Sequence, residues 1–276
     1  MEVLTASGKQ FKCHSPSGEY KLEYKNLFSK LGDKKKELFK KNGYLVIKNI
    51  LSKKDIANAR NTYFSLFQKG EYEKKYGDWI HIKNHEDSPG CNNHPSRDFL
   101  QNQHFFNIIE NQNLKKATCW ILNSETSIMS PRIIVRSFSK LSERCTFAHR
   151  DKEYFKSANS KNVFTCWIPL GPIGSEFGQL IYLENSHTEE KRIDKLVNSQ
   201  KIISKDLNKL ANDLNLNWIR PILEEGDILL HSLDIVHASF DSFSNVPRLS
   251  LDLRYALSLE DTDQRWSQSW RGDDGL

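Results

Sequence analysis

His149 and Asp151 stand two residues apart, and a second histidine, His237, follows the apolar run Ile235-Val236. Two imidazoles and one carboxylate make a metal site that covers one face of the ion and leaves the other positions open. This is the donor set of non-haem Fe(II) oxygenases. In an extended segment, residues i and i+2 project from one side. His149 and Asp151 can therefore reach one ion from the end of a strand over 144–149, with Arg150 turned away. Taken alone, His-x-Asp says little, because a chain with nine histidines and many aspartates contains such pairs by chance. A solvated strand end would explain it equally well.

Arg248 and Ser250 change that balance. They share one face of a later strand with Asp252 and Arg254, while Leu249, Leu251 and Leu253 take the other. A buried arginine is costly without an anion. Arg-x-Ser supplies a cation and a hydroxyl suited to a carboxylate. If this polar stripe faces inward, it lines a cavity; if outward, it meets only solvent. The metal triad favours the inside for Arg248.

The elements that must hold these residues lie in the second half. Short apolar runs at 132–138, 144–149, 164–169, 179–183, 218–223, 228–232, 235–239 and 248–256 give eight candidate strands, punctuated by Gly171-Pro172, Gly174, Gly178 and Glu225-Gly226-Asp227. Many short strands with Gly/Pro turns indicate a sandwich or barrel, and eight suit a jelly roll. Ile193, Leu196, Val197, Leu207, Leu210 and Leu214 predict a helical insert over 187–217, packed across a sheet. The first half reads as flank. Residues 1–26 form a loosely held polar lead-in, and Asp33 caps a short helix that stops at Asn42-Gly43. Tyr44–Ile47 is a strand, 53–68 an amphipathic helix behind a Ser52…Asp55 capping box, and 99–122 helical. Residues 69–97 are irregular and hold His81, His85, Cys91 and His94. Their spacing matches no standard zinc site, a substrate-facing lid loop is the favoured reading of 69–97, and residues from 69–104 are expected to line the pocket. The expected whole is one domain over 1–276: a mostly helical flank and lid over 1–130, a jelly-roll core over 131–256 and a tail over 257–276.

The bulk numbers agree with a globular chain. Of 276 residues, 38% are apolar and 27% charged, enough for a sizeable core. A net charge of +5 without a continuous basic tract leaves a nucleic-acid footprint open but does not indicate one. Five scattered cysteines without C-x-x-C argue against a disulfide framework and point to a reducing, cytoplasmic setting. No signal peptide, membrane span or targeting tripeptide is recognised, so no membrane partner is expected. Monomer and homodimer are both open.

His149-x-Asp151…His237…Arg248-x-Ser250 resembles the Fe(II)/2-oxoglutarate dioxygenases, and most closely the phytanoyl-CoA dioxygenase family. Further motifs over residues 38–256 support the likeness. Lys41-Asn-Gly-Tyr-Leu-Val-Ile47 with Leu51-Ser52 is similar to that family's opening. Gly178-Gln-Leu-Ile-Tyr-Leu-Glu-Asn-Ser-His187 is similar to its strand before the long insert, and Glu225-Gly-Asp227 leads to the distal histidine as it does there. Two departures, Phe177-Gly178 in place of Asn-Gly and a lysine-rich insert, touch the substrate and leave the chemistry alone. The resemblance implies a double-stranded β-helix (a cupin-like jelly roll) with flanking helices. It implies Fe(II) on His149, Asp151 and His237, and 2-oxoglutarate held by Arg248 with Ser250. Trp167 falls where the family places a tryptophan against this co-substrate, although a plain core role is as good a reading. O2 would be consumed and succinate and CO2 released as a small-molecule substrate is hydroxylated, desaturated or cyclised. Asp151 argues against halogenation, since the related halogenases carry a small residue there.

Two other functions fit the same residues. Arg248 and Arg254 have the Arg-x5-Arg spacing of nucleic-acid demethylases on this fold, but the interval from His237 to Arg248 suits the phytanoyl type better. A cupin-like binding protein could hold the metal without turnover. His231 reads as a satisfied core histidine and His187 as a capping or packing one. Arg254 could meet 2-oxoglutarate, substrate, Asp252 or Asp263. Arg136 and Arg150 are open, with an anionic substrate as one option. Of the tail's Trp266 and Trp270, at least one is expected to dock on the barrel or at a subunit contact.

Overall fold

The computed structural model describes residues 1–17, 19–83, 94–142, 145–155, 159 and 161–269. His85, Cys91, Arg144 and Trp270 lie outside them. The lead-in is not loose. β1 (Glu2–Ala6) and β2 (Lys9–His14) form a hairpin in which Ala6 pairs with Lys9. Ser7 (φ 50°) and Gly8 (φ 76°) make its two-residue turn, whose positive φ values match the twist of the strands. Leu4, Ala6, Phe11 and Cys13 are buried, so the segment alternates and packs. β3 (Lys21–Glu23) adds a parallel strand beside β4 (Tyr44–Lys48).

α1 (Lys30–Asn42) starts earlier than Asp33, because the Ser29 hydroxyl accepts the Gly32 N–H; it ends at Gly43 in the left-handed conformation. α2 (Lys53–Ser65) has its Ser52 cap, and Ile56, Ala59, Tyr63 and Phe64 form its buried face. Residues 69–83 are more regular than expected, with β5 (Tyr72–Lys75) and β6 (Asp78–His81) paired as a second hairpin. The helical stretch after residue 95 breaks into α3 (Ser96–Phe99), α4 (Gln103–Ile109) and α5 (Gln112–Leu122), the last two capped by Asn102 and Asn111.

The remaining strands are β7 (Ile128–Met129), β8 (Ile134–Phe138), β9 (Val163–Pro169) and β10 (Leu180–Leu183). The insert follows as α6 (Glu190–Asp194) and α7 (Leu207–Leu214), and the chain then runs through β11 (Trp218–Ile219), β12 (Ile228–Ser232), β13 (His237–Ser239) and β14 (Arg248–Ala256). Two sheets result, with orders β1-β2-β11-β10-β13 and β3-β4-β12-β9-β14-β7, and β8 also pairs with β14. They face each other as a jelly roll. Between them lie Tyr44, Val46, Trp167, Tyr182, Leu229 and Ile235. Outside the larger sheet, Leu249, Leu251 and Leu253 of β14 join a core with residues of α2, α4 and α5. Outside the smaller sheet, Ile181 and Leu183 meet Leu207, Leu210 and Leu214 of α7. The helices thus cover both outer faces, and each sheet's inner face is left to build the site.

The expected strand over 144–149 is not formed in its described part. Only Ala148 and His149 make isolated bridges, to Ser204 and His237, and Asp151 opens a 3-10 turn running to Tyr154. This segment runs between β13 on one side and the backbone of Ile203 and Ser204 on the other, held to each by single bridges. Trp266 docks as expected: it is buried and stacked on Phe155 at 4.5 Å between centroids. No helix among the described residues is long and apolar enough to cross a membrane.

Candidate metal and co-substrate site

His149 and His237 face each other across the edge of the smaller sheet. Each N–H donates to the other's carbonyl, at 3.0 and 2.9 Å, and the rings lie 4.2 Å apart between centroids. Asp151 reaches the same point from the 3-10 turn, its Oδ1 lying 3.9 Å from His149 Nε2 and 3.6 Å from His237 Nε2. One donor atom from each of the three falls within 4.8 Å of the others, the geometry of a three-donor metal site. His149 Nδ1 is 2.8 Å from the Phe147 carbonyl and His237 Nδ1 3.2 Å from that of Ile235. Since a carbonyl only accepts, both Nδ1 atoms carry the proton and both Nε2 lone pairs are free for a metal, the usual outer support of a histidine ligand. Two imidazole nitrogens and a carboxylate oxygen suit a ferrous ion.

Arg248, Asp252 and Arg254 line the same cavity as the triad, so the polar stripe of β14 faces inward. Arg248 is buried, and its Nε has no hydrogen-bond partner among the described residues. Its Nη1 lies 3.4 Å from the Ser250 hydroxyl, and its guanidinium sits 5.4 Å from the ring centre of Trp167. Burial pulls its pKa down to about 10. A cation left unpaired in such a place is a receptor for an anion. Trp167 and Ser250 are both fully buried and flank that cation.

The family model for phytanoyl-CoA dioxygenase matches residues 39–250. The chain belongs to the phytanoyl-CoA dioxygenase family. It is an enzyme of the dioxygenase type, working with iron and 2-oxoglutarate. No curated protein sequence matches it. Among solved structures it is similar to the alpha ketoglutarate dependent carbocyclase SnoK from nogalamycin biosynthesis, at 16% identity, TM-score 0.59 and 87% coverage of both chains. It is also similar to the epimerase SnoN in complex with Fe3+, alpha ketoglutarate and nogalamycin RO, at 13% identity and TM-score 0.57, covering 81% of this chain and 82% of that one. A third is EctD from S. alaskensis with bound Fe, at 14% identity and TM-score 0.56, covering 92% and 83%. These likenesses establish the shared jelly roll.

Other residues of this dioxygenase take their places around the site. Arg254 meets a different acid from those expected, since its Nη2 donates to Asp151 Oδ2 at 3.1 Å. His231 is satisfied in the core, with Tyr182 Oη 2.9 Å from Nδ1, and it also stands 3.4 Å from Asp151 Oδ2. Thr165, which sequence reasoning passed over, donates a short hydrogen bond to that same oxygen. Only its position opposite His231 on a neighbouring strand reveals it. Arg136 lines the cavity, half-buried, 3.5 Å from Asp252. Arg150 turns away, as expected, and is buried against Glu153 and Asp194, so no anionic substrate reaches it there. His187 packs, its Nε2 donating to the Lys41 carbonyl. His81 and His94 bond Ser139 and Ser96. The described parts of 69–104 and of the insert contribute nothing to this cavity wall, because β5–β6 packs through Tyr72 and Trp79 onto the helical flank.

Burial lowers the pKa of His149, and drives that of His237 well down with the neighbouring His149 ring adding to it. Burial also lowers His81 and His187. All four therefore bind protons more readily in the unfolded chain than in the folded one. Stability is fully present above the ordinary histidine pKa of about 6.5 and declines as pH falls below it. The melting temperature of metal-free protein is expected to drop steadily from pH 7 to pH 5. A flat profile would contradict this electrostatic description.

Proposed function

We propose that this enzyme hydroxylates a small molecule, or desaturates or cyclises it by the same opening step. His149, Asp151 and His237 would hold Fe(II), and Arg248, with Ser250 and Trp167, would hold 2-oxoglutarate. The observation that carries the reading is the buried Arg248, its Nε unpaired, beside a three-donor cluster. Iron, 2-oxoglutarate and O2 together supply an oxidant able to take hydrogen from an unactivated C–H bond, releasing succinate and CO2. The chain's part is placement. Arg248 would receive the distal carboxylate, Trp167 would wall the co-substrate, and the two imidazoles would offer neutral Nε2 lone pairs to the ion. Names such as carbocyclase and epimerase on this fold keep cyclisation beside hydroxylation as an outcome. Residues 1–276 would act as one domain, and free thiols at Cys13, Cys119, Cys145 and Cys166 fit a reducing, cytoplasmic setting.

The test is release of succinate from 2-oxoglutarate by anaerobically iron-loaded protein once O2 is admitted, screened with candidate metabolites. Succinate that requires iron and rises with one metabolite supports the reading. Metal binding with no succinate from any of them would leave a binding protein.

A further inference from the structure

The inner face of the larger sheet carries a polar row across neighbouring strands. Thr165 on β9 is directly opposite His231 on β12 and Arg254 on β14, and His231 is directly opposite Tyr44 on β4. Residues paired this way project from one face. Three of the four converge on a single atom, Asp151 Oδ2, with Arg254 Nη2 at 3.1 Å, His231 Nε2 at 3.4 Å and the Thr165 hydroxyl closest. The other oxygen, Oδ1, faces His149 and His237.

We propose that Thr165, His231 and Arg254 clamp Asp151 so that it meets the metal through Oδ1 alone, keeping the coordination positions that co-substrate and O2 need. The inference rests on the reading that the triad holds iron. Its chemistry is simple. A carboxylate free to rotate can chelate through both oxygens and consume a further position. Here one oxygen already takes three donors and has no lone pair left to offer. The clamp is itself fixed. The Asp151 carboxylate only accepts, so His231 Nε2 carries the proton and the Tyr182 hydroxyl donates to Nδ1, and Tyr182 stacks on Tyr44 at 5.2 Å and 5°. Arg254 donates to the Asp252 carbonyl and lies 5.3 Å from the Trp266 ring centre, so the docked tail backs the clamp. Thr165, His231 and Arg254 are at most 6% exposed, which keeps water from replacing them.

The experiment compares full-length protein with Thr165→Val, His231→Leu and His231→Gln, each loaded with Co(II) in place of iron. Calorimetry gives the Co(II) affinity and the visible spectrum reports its coordination. Thr165→Val and His231→Leu should bind Co(II) about 10- to 100-fold more weakly, the range for losing an outer partner of a ligand, with an altered spectrum. His231→Gln, which still presents an N–H, should recover most of the affinity and the parent spectrum. Cooperative melting of the metal-free variants checks that they fold. Should Thr165→Val fail to fold, the two His231 variants decide. Folded variants with parental affinity and spectrum would overturn the clamp, as would His231→Gln behaving like His231→Leu. A parent protein that takes up no Co(II) would overturn the metal reading itself.

Discussion

Arg248→Leu is expected to raise the 2-oxoglutarate concentration for half-maximal turnover by about 30-fold to several thousand-fold. Truncating one partner of a buried charge pair costs roughly 2–5 kcal/mol, and each 1.4 kcal/mol is a factor of ten. The loss falls on KM, because Arg248 holds the end of the co-substrate remote from the reacting atoms. The same change should raise, or at least preserve, the melting temperature of the metal-free protein. The guanidinium is buried with its Nε unpaired, and burial pulls its pKa to about 10. Removing it relieves an unfavourable burial, whereas most core substitutions destabilise. Steady-state kinetics over 2-oxoglutarate and a thermal melt without ligand check both halves. An unchanged KM would place the co-substrate elsewhere.

His149→Ala is expected to cut turnover by more than about 100-fold, beyond the loss usual for an outer partner of a metal ligand. The fold should survive. What ties His149 into the sheet is its backbone, which exchanges both hydrogen bonds with His237, and alanine keeps those groups. The ring is neutral at pH 7, so its removal strands no buried charge. Iron binding by calorimetry, circular dichroism and succinate release measured on one preparation separate loss of metal from loss of structure. Full activity in the variant would remove His149 from the site.

The jelly roll was legible from short apolar runs broken by Gly and Pro turns, and β14 alternates from Arg248 to Tyr255, with Leu249, Leu251 and Leu253 against polar partners. That pattern separated two faces, and the metal triad favoured the inside for the polar one. The triad was legible because His149-x-Asp151 and His237 coincide with Arg248-x-Ser250 on a later strand. The lead-in was misjudged because its turn, Ser7-Gly8, lacks the commonest hairpin pairs, and Val3 is exposed, which blurs the alternation. The strand before His149 was overextended because single bridges to Ser204 and His237 hold its last two residues without a continuous ladder. The row behind Asp151 was invisible in the chain. Thr165, His231 and Arg254 are far apart in sequence, and only the register of β9 between β12 and β14 brings them to one oxygen. Arg254 was seen as a candidate for several acids, and Asp151 was not among them, because the turn that carries Asp151 has no periodic signal.

The most direct measurement is anomalous diffraction at the iron edge from crystals grown anaerobically with Fe(II). The account predicts one strong peak per chain, about 2 Å from His149 Nε2, His237 Nε2 and Asp151 Oδ1 together, with Asp151 Oδ2 still turned to Arg254. A peak elsewhere, or none between the two imidazoles, would contradict it.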